Sequence, residues 1–197
     1  MSKAPESLAT RRLLLRRPVA ADADAIFRRY ASDPEVTRYM SWPTSRSLAD
    51  THAFLALCDA EWATWSAGVY LIRSRDDDAL LGSTGLSFVS ATEAITGYIL
   101  AREAWGKGYA TEALTAMVEL ATTLDVTRLV AHCHPDHRAS QRVLEKCGFR
   151  VEAREQRATG FPNLDPAATR DALKYARALA PSLSPPAPAR RVDPSPA

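Results

Sequence analysis

The sequence has few cysteines, almost no net charge and no long apolar run, and each shortage excludes a class of protein. Its 197 residues contain three cysteines, Cys58, Cys133 and Cys147, an odd number at wide spacing. This number and spacing argue against a disulfide framework or a Cys-x-x-Cys redox pair. They fit best a protein of the reducing cytoplasm. With 25 basic and 23 acidic residues the formal net charge is +2, without the dense basic surface of a dedicated nucleic-acid binder.

Apolar segments are short as well. Residues 1–9 lack the apolar core of about 7 to 15 residues that a signal peptide needs. A run of about 18 apolar residues, the length of a transmembrane helix, is also missing. We therefore expect a soluble cytoplasmic protein that has neither nucleic acid nor membrane as a partner.

What the sequence does contain fits one domain with a full core, since 46% of the residues are hydrophobic and 24% are charged. After Ala180 the chain becomes rich in proline and serine, a composition that cannot sustain a helix or a strand ladder. We expect residues 181–197 to be a flexible tail.

Hydrophobic periodicity predicts a mixed α/β fold, an α+β arrangement with a mixed sheet of about seven strands and four helices. Short connections make the three central strands antiparallel, and a strand-helix-strand order makes the next neighbour parallel. The predicted helices begin near residues 22, 47, 110 and 138. The predicted strands lie at residues 12–16, 69–72, 80–89, 95–100 and 128–133, from residue 149 onward, and at 169–178, where the pattern also allows a helix.

A strand-to-helix joint with two glycines is the most informative stretch of the chain. Gly106 and Gly108 follow the strand that ends at Leu100 and precede the longest apolar helix pattern. Unpaired N–H groups and the positive end of a helix dipole form an anion site at such a joint, and glycine lets the anion approach. Lys107 adds positive charge. The sequence therefore predicts a phosphate-binding loop.

Two nucleotide-binding motifs match this loop poorly. A P-loop requires Gly-x4-Gly-Lys-[Ser/Thr], but position 101 is alanine and Lys107 is followed by Gly108. A dinucleotide fingerprint needs a small residue where Thr111 stands, and a parallel sheet where the preceding strands look antiparallel. The first motif is excluded and the second is weak.

Three segments together resemble the GNAT N-acetyltransferase superfamily. Residues 105–113, Trp-Gly-Lys-Gly-Tyr-Ala-Thr-Glu-Ala, are similar to its motif A, Arg/Gln-x-x-Gly-x-Gly/Ala. Residues 137–149 are similar to its Asn-x-x-Ser helix and the Glu-Lys-x-Gly-Phe run that follows, and residues 10–16 match at the front. The resemblance covers about residues 8–178, which we expect to form the N-acetyltransferase domain, and is nearest to the RimJ/RimL branch.

This resemblance implies the GNAT fold and acetyl-CoA as co-substrate, with its pyrophosphate on the N–H groups of residues 106–111. The pantetheine arm would pair like an extra strand beside residues 99–101, where the backbone N–H of Ile99 would stabilise the tetrahedral oxyanion. The positions implied to contact acetyl-CoA are Ile99, Leu100, Ala101, Trp105, Gly106, Lys107, Gly108, Tyr109, Ala110, Thr111, His137 and Ser140.

Four positions depart from the family pattern. Trp105 stands at the Arg/Gln position, and His137 replaces the usual Asn but can still donate one hydrogen bond. Leu144 occupies the place of the Tyr that protonates the leaving thiolate in many relatives, so Ser140 is our preferred substitute. Ile95 stands where many members of the branch have a basic Glu.

The general base is consequently not evident, and Glu93, Glu103 and Glu112 are the candidates. An acidic residue in a first helical turn, such as Glu112, usually serves the dipole and the cap. An α-amine with a pKa near 8 is about one-tenth neutral at pH 7, whereas a lysine amine is neutral in roughly one molecule in 2,500. A missing base therefore favours a low-pKa amine, such as a protein N-terminal α-amine or a small-molecule amine.

Other residues receive less specific interpretations. His132 and His134 would share one strand face while Cys133 points to the other, so too few ligands converge and we expect no metal. Direct attack by the amine is favoured over an acetyl-cysteine intermediate. Three tryptophans are interpreted as core residues rather than substrate contacts: Trp42, Trp62 and Trp65.

The acceptor cannot be read from the sequence. The segments expected to line its cleft, residues 22–65 and 154–169 with Phe161-Pro162-Asn163, follow no recognisable pattern. The predicted enzyme transfers acetyl to a primary amine in a ternary complex. The alternative is a non-catalytic acyl-CoA-binding or regulatory module, and either is compatible with a monomer or a homodimer.

Overall fold

The computed structural model describes residues 3–165 and 169–180, so the predicted tail at 181–197 lies outside the described residues. The four α-helices of the described part are α1 (Ala23–Ile26), α2 (Leu48–Trp65), α3 (Tyr109–Thr123) and α4 (Arg138–Lys146). The strands are β1 (Ser7–Ala9), β2 (Leu13–Arg16), β3 (Val69–Ser74), β4 (Leu80–Phe88), β5 (Glu93–Leu100), β6 (Arg128–Cys133), β7 (Arg150–Gly160) and β8 (Thr169–Ala178).

The strands form one mixed sheet in the order β1-β2-β3-β4-β5-β6-β8-β7. The pairing of β5 with β6 is parallel, as the strand-helix-strand order predicted, and the other neighbours are antiparallel. The sheet has eight strands rather than seven, because the three-residue β1 pairs with β2 at the edge. A strand that short carries too little alternation to be recognised from sequence.

Helices cover both faces of the sheet. On β3, Leu71 faces the cluster formed by α1 and α2, whereas Tyr70 and Ile72 face the larger core that contains α3. Helix α2 buries Thr51, Leu55, Cys58 and Trp62, which confirms the predicted apolar face apart from its first residue. Within the described residues, no helix is long and apolar enough to cross a membrane.

The segment after α1 is wound more widely than an α-helix. Residues Phe27–Ala31 form a π-helical turn, closed by the Ser32 N–H donating to the Phe27 carbonyl at 3.1 Å. Single π turns occur often at functional sites. This turn carries Tyr30, whose side chain borders the cavity described below.

Candidate active site

The strands β5 and β6 separate part-way along their length. They pair at three positions only, Glu93 with Arg128, Ala94 with Leu129 and Ile95 with Val130. Strand β6 stays paired with β8 as far as Cys133, and β5 stays paired with β4 as far as Leu100, so the sheet splits between β5 and β6. The gap opens into a cavity of about 1080 Å³, bordered by the second halves of both strands, α4 and the segment before α2.

The strand register decides which backbone groups of β5 face the gap. The Ala101 N–H donates to the Leu81 carbonyl of β4 at 2.8 Å, and Ile99 lies opposite Ser83. Because N–H directions alternate along a strand, Ile99 also points its N–H at β4, and Tyr98 and Leu100 point theirs into the gap. The register therefore argues against the predicted oxyanion donor, Ile99, and favours the N–H group of a neighbouring residue, Tyr98 or Leu100.

The glycine loop lies at the end of the gap and opens α3 as predicted. Gly106 and Gly108 have φ angles of 72° and 81°, in the left-handed region that favours glycine. A Cβ atom at Gly106 would meet nothing within 4 Å, so the space beside the loop is open. The first helical hydrogen bond runs from the Glu112 N–H to the Gly108 carbonyl, which leaves the preceding N–H groups free for an anion.

Glu112 holds this loop to the N-terminal strands. Its carboxylate accepts from Thr10 Oγ1 at 2.6 Å, the Arg12 N–H at 2.8 Å and Arg12 Nε at 2.7 Å. The Arg12 guanidinium also donates to the Lys107 carbonyl at 2.9 Å. Burial alone would raise the pKa of Glu112, but these hydrogen bonds outweigh it and hold the pKa below its ordinary value. Glu112 is thus a structural anion rather than a base, and sequence reasoning missed the role of Arg12.

Trp105 ties the loop to the end of β5. Its indole Nε1–H donates to the Leu100 carbonyl at 2.8 Å, while 42% of the residue stays exposed. The tryptophan thus uses one of the backbone acceptors that point into the gap. It anchors the strand end at the position where the family pattern has an Arg or Gln.

A pair of hydroxyl groups lies at the wall of the cavity. Tyr98 Oη is 2.9 Å from Ser140 Oγ and 3.2 Å from the Ser140 carbonyl oxygen. Both side chains line the cavity, next to Leu144 and Cys133. Burial raises the pKa of Tyr98 and of Cys133, so both are neutral near pH 7. Ser140, the predicted proton donor, therefore lines the cavity, and Tyr98 is a neighbour that the sequence did not predict.

Aromatic rings form one wall of the cavity. Tyr39 stacks on His137 and on His134, with ring centroids 4.6 and 5.0 Å apart, and Phe161 meets His134 edge-on at 4.8 Å. Burial lowers the pKa of His134 and lowers that of His137 to about 4. Both rings are therefore neutral near pH 7. In the described residues, no group of three His, Cys, Asp or Glu side chains is arranged to bind a metal.

Asn163 fastens this wall. Its Oδ1 accepts from the Thr44 N–H at 2.8 Å and from Thr44 Oγ1 at 3.0 Å, and its Nδ2 donates to the carbonyls of Thr37 and Trp42 at 2.7 and 2.9 Å. The β7–β8 connection thereby holds the segment before α2. Of the tryptophans interpreted as core, Trp62 is buried, but Trp42 is 36% exposed and borders the cavity, so that interpretation is wrong for Trp42.

Carboxylates are scarce around the cavity. Among the described residues that line it, Asp50 has the one carboxylate, and that group accepts the N–H groups of Arg46 and Ser47 at 2.8 and 3.0 Å, before α2. Glu93 pairs with Arg128 at 3.1 Å instead, and Glu103 is exposed near the glycine loop. Neither Glu93 nor Glu103 borders the cavity in the described structure.

The comparisons with known proteins agree with this geometry. The family model of the GNAT acetyltransferase domain matches residues 12–150. The chain is 30% identical over 150 residues to the uncharacterized N-acetyltransferase p20 of Bacillus licheniformis, covering 75% of this chain and 84% of that protein.

The chain belongs to the GNAT acetyltransferase family.

The fold of this acetyltransferase is shared with solved structures. A GNAT-family acetyltransferase from Bacillus anthracis aligns with a TM-score of 0.75 at 24% identity, over 87% of this chain and 98% of that one. RimL, a ribosomal alpha-N-protein acetyltransferase in complex with coenzyme A, aligns with a TM-score of 0.77 at 22% identity, over 88% and 98%. The predicted family, fold and acetyl-CoA-dependent acetyltransferase class are thereby confirmed.

Proposed function

We propose that this acetyltransferase moves an acetyl group from acetyl-CoA to a primary amine by direct attack in a ternary complex. The observation that carries the proposal is the gap between β5 and β6, with the glycine loop at one end and a large side-chain-lined cavity at the other. A donor entering from the loop and an acceptor entering from the cavity would meet in the gap. RimL, a protein with the same fold, was solved in complex with coenzyme A, which supports acetyl-CoA as the donor.

Backbone N–H groups would bind the donor, acetyl-CoA. The N–H groups that precede the first bond of α3 would bind the pyrophosphate, beside Gly106 and Gly108. The pantetheine arm would run along the free edge of β5, where the N–H groups of Tyr98 and Leu100 point into the gap. One of these two groups, in place of Ile99, would stabilise the oxyanion of the tetrahedral intermediate.

The acceptor end of the cavity favours an amine that is already partly neutral near pH 7, without a general base to deprotonate it. Asp50, the carboxylate among the described lining residues, is already hydrogen-bonded at the start of α2, and the histidines of the wall have lowered pKa values. A protein N-terminal α-amine or a small-molecule amine of similar pKa would therefore suit the cavity better than a lysine side chain. A polyamine would bring further ammonium groups, which are costly to bury without carboxylates.

Side chains near the reacting atoms favour direct attack. Burial raises the pKa of Cys133 and Cys147, so neither is a ready thiolate nucleophile. Ser140 is the proposed hydrogen-bond donor to the sulfur of the departing thiol. His137 lines the cavity and stacks on Tyr39, where it would contact the pantetheine arm by packing.

The experiment that tests this function is thiol release from acetyl-CoA with a panel of free N-terminal peptides, monoamines, a polyamine and an aminoglycoside. Mass spectrometry would identify the acetylated product. Release with an α-amine acceptor supports the proposal, whereas tight CoA binding without release for any acceptor favours the non-catalytic module. The three free, buried cysteines fit the proposed cytoplasmic location, and gel filtration would distinguish a monomer from a homodimer.

A further inference from the structure

Tyr98 is the one hydroxyl-bearing residue found within hydrogen-bonding distance of Ser140 Oγ among the described residues, and no motif pointed to it. It belongs to β5, whereas Ser140 lies in the first turn of α4. The two oxygens are 2.9 Å apart and both side chains border the cavity. The pair therefore joins β5 to α4 at the wall of the cavity in which the thioester would lie.

The direction of this hydrogen bond follows from helix geometry. Ser140 lies in the first turn of α4, so its carbonyl is the helical acceptor for the N–H of Leu144. That carbonyl can accept the Tyr98 hydroxyl only as a second, longer hydrogen bond at 3.2 Å, whereas Ser140 Oγ is nearer at 2.9 Å. Tyr98 is thus best placed to donate to Oγ, which leaves the serine proton free to point elsewhere.

Tyr98 is a donor under all ordinary assay conditions. Its side chain is partly buried and packs against the larger core, and burial raises the pKa of its hydroxyl. A tyrosine that keeps its proton can orient a neighbouring serine but is a poor source of protons itself. Its effect on chemistry would have to pass through Ser140.

We propose that Tyr98 is a positioning residue, whose hydroxyl donates to Ser140 Oγ and turns the serine proton toward the sulfur atom of coenzyme A. This inference rests on the proposed function. When the tetrahedral intermediate collapses, the C–S bond breaks, its electron pair moves to sulfur and the carbonyl re-forms. The serine hydrogen bond stabilises that sulfur. The proton that sulfur finally takes up balances the one lost by the attacking nitrogen, so none is gained or lost overall.

The turnover test uses the best amine of the panel above with Tyr98→Phe, Ser140→Ala and the double variant. Tyr98→Phe should lower kcat by about tenfold while the KM for acetyl-CoA stays within about twofold. In the Ser140→Ala background it should cause no further loss, because Tyr98 acts through Ser140. An unchanged kcat, or the same tenfold loss in both backgrounds, would overturn the proposal.

Tyr70→Phe is the matched control. Tyr70 is a buried tyrosine that donates to the Pro5 carbonyl at 2.7 Å, but it does not border the cavity. Removing its hydroxyl should leave kcat unchanged. Thermal unfolding of all four variants would show whether a loss of activity reflects a loss of folded protein.

A second measurement requires no acceptor. Binding of CoA relative to desulfo-CoA, measured between pH 6.5 and 9, reports the pKa of the bound thiol, whose ordinary value is near 8.5. A serine proton aimed at sulfur lowers that pKa, so the relative affinity for CoA should rise about fivefold over this range in the wild type. It should stay nearly flat in Tyr98→Phe and in Ser140→Ala.

The two measurements separate the two proposals. A pH-dependent CoA preference that both variants lose, without thiol release for any amine, would refute the proposed function and keep the role of Tyr98. Normal turnover with no difference between wild type and Tyr98→Phe would keep the proposed function and refute the role of Tyr98. A flat wild-type preference for CoA would overturn the positioning role whatever the turnover.

Discussion

The donor end of the gap is built from backbone, whereas the acceptor end is built from side chains. At the donor end, two glycines with positive φ and the first N–H groups of α3 form the anion site. At the acceptor end, Tyr39 meets two histidines, and Asn163 bonds to a segment about 120 residues earlier in the chain. The first end depends on a short continuous stretch, and the second on contacts between remote ones.

This difference bears on what each end can specify. Backbone N–H groups bind any ligand that presents the right phosphate, so the donor end can be the same in proteins with different acceptors. The wall of the acceptor end changes whenever one of its side chains changes. We therefore expect substitutions at the donor end to affect CoA binding and substitutions at the acceptor end to affect acceptor selection.

The largest separation is expected at the glycine loop. Gly108→Asp should weaken CoA binding by about 100-fold or more, because it places a carboxylate in the anion site. Gly108→Asn is the matched control, since asparagine has nearly the same shape and tolerates a positive φ but carries no charge. Calorimetry with CoA would measure both. If the affinity of Gly108→Asp stayed within about threefold of wild type, the loop would not be the phosphate site.

An intermediate effect is expected at Asn163, with the opposite selectivity. Asn163→Asp keeps the shape but removes the two donors to the Thr37 and Trp42 carbonyls, so the segment before α2 should loosen. We predict a roughly tenfold lower kcat/KM for the acceptor and a KM for acetyl-CoA within about twofold. Asn163→Ala should behave similarly if the lost bonds are the cause. Equal losses for donor and acceptor would show that the two ends are not independent.

The same contrast explains what could be predicted from the sequence. The structure of the joint at residues 105–113 could be predicted, because its glycines, the strand before it and the helix after it are contiguous in the sequence. The sheet order near β5 and β6 followed from the connection between them. The edge strand β1 was missed because three residues carry no readable alternation.

Features that depend on register or on remote contacts were not predictable. The register argues against Ile99 as oxyanion donor, because a shift of one residue reverses the direction of an N–H group, and the register cannot be read from the sequence. The Arg12–Glu112 pair joins positions 100 residues apart, and Tyr98 meets Ser140 across 42 residues. A single sequence contains no signal for such pairs, although each residue type could have been noted as polar in an apolar setting.

A smaller effect, on stability, is expected at Glu112. Its pKa is depressed in the folded protein, so its contribution is present above the unfolded value, near 4.3, and is lost as the pH falls through the folded value. Glu112→Gln should cost about 1–3 kcal/mol of unfolding free energy at pH 7, and much less near pH 2. Urea unfolding at both pH values would measure this. A deficit of the same size at both would mean that charge is not the cause.

The smallest effect on activity is expected at His137. Its substitution tests whether the aromatic wall of the cavity depends on ring contacts or on charge. Its pKa of about 4 in the folded protein lies below the ordinary value of about 6.5. Between these two pKa values His137 is protonated in the unfolded chain and neutral in the folded chain. The free energy of unfolding should therefore fall as the pH drops from about 6.5 toward 4. His137→Asn, which restores the usual residue of the family pattern, should reduce that fall and change kcat at pH 7.5 by less than about threefold.

Thermal unfolding between pH 4 and 7 measures the slope of stability against pH. An unchanged slope would assign the titration to His134, whose pKa burial also lowers, and the stacking on Tyr39 would then matter for shape alone.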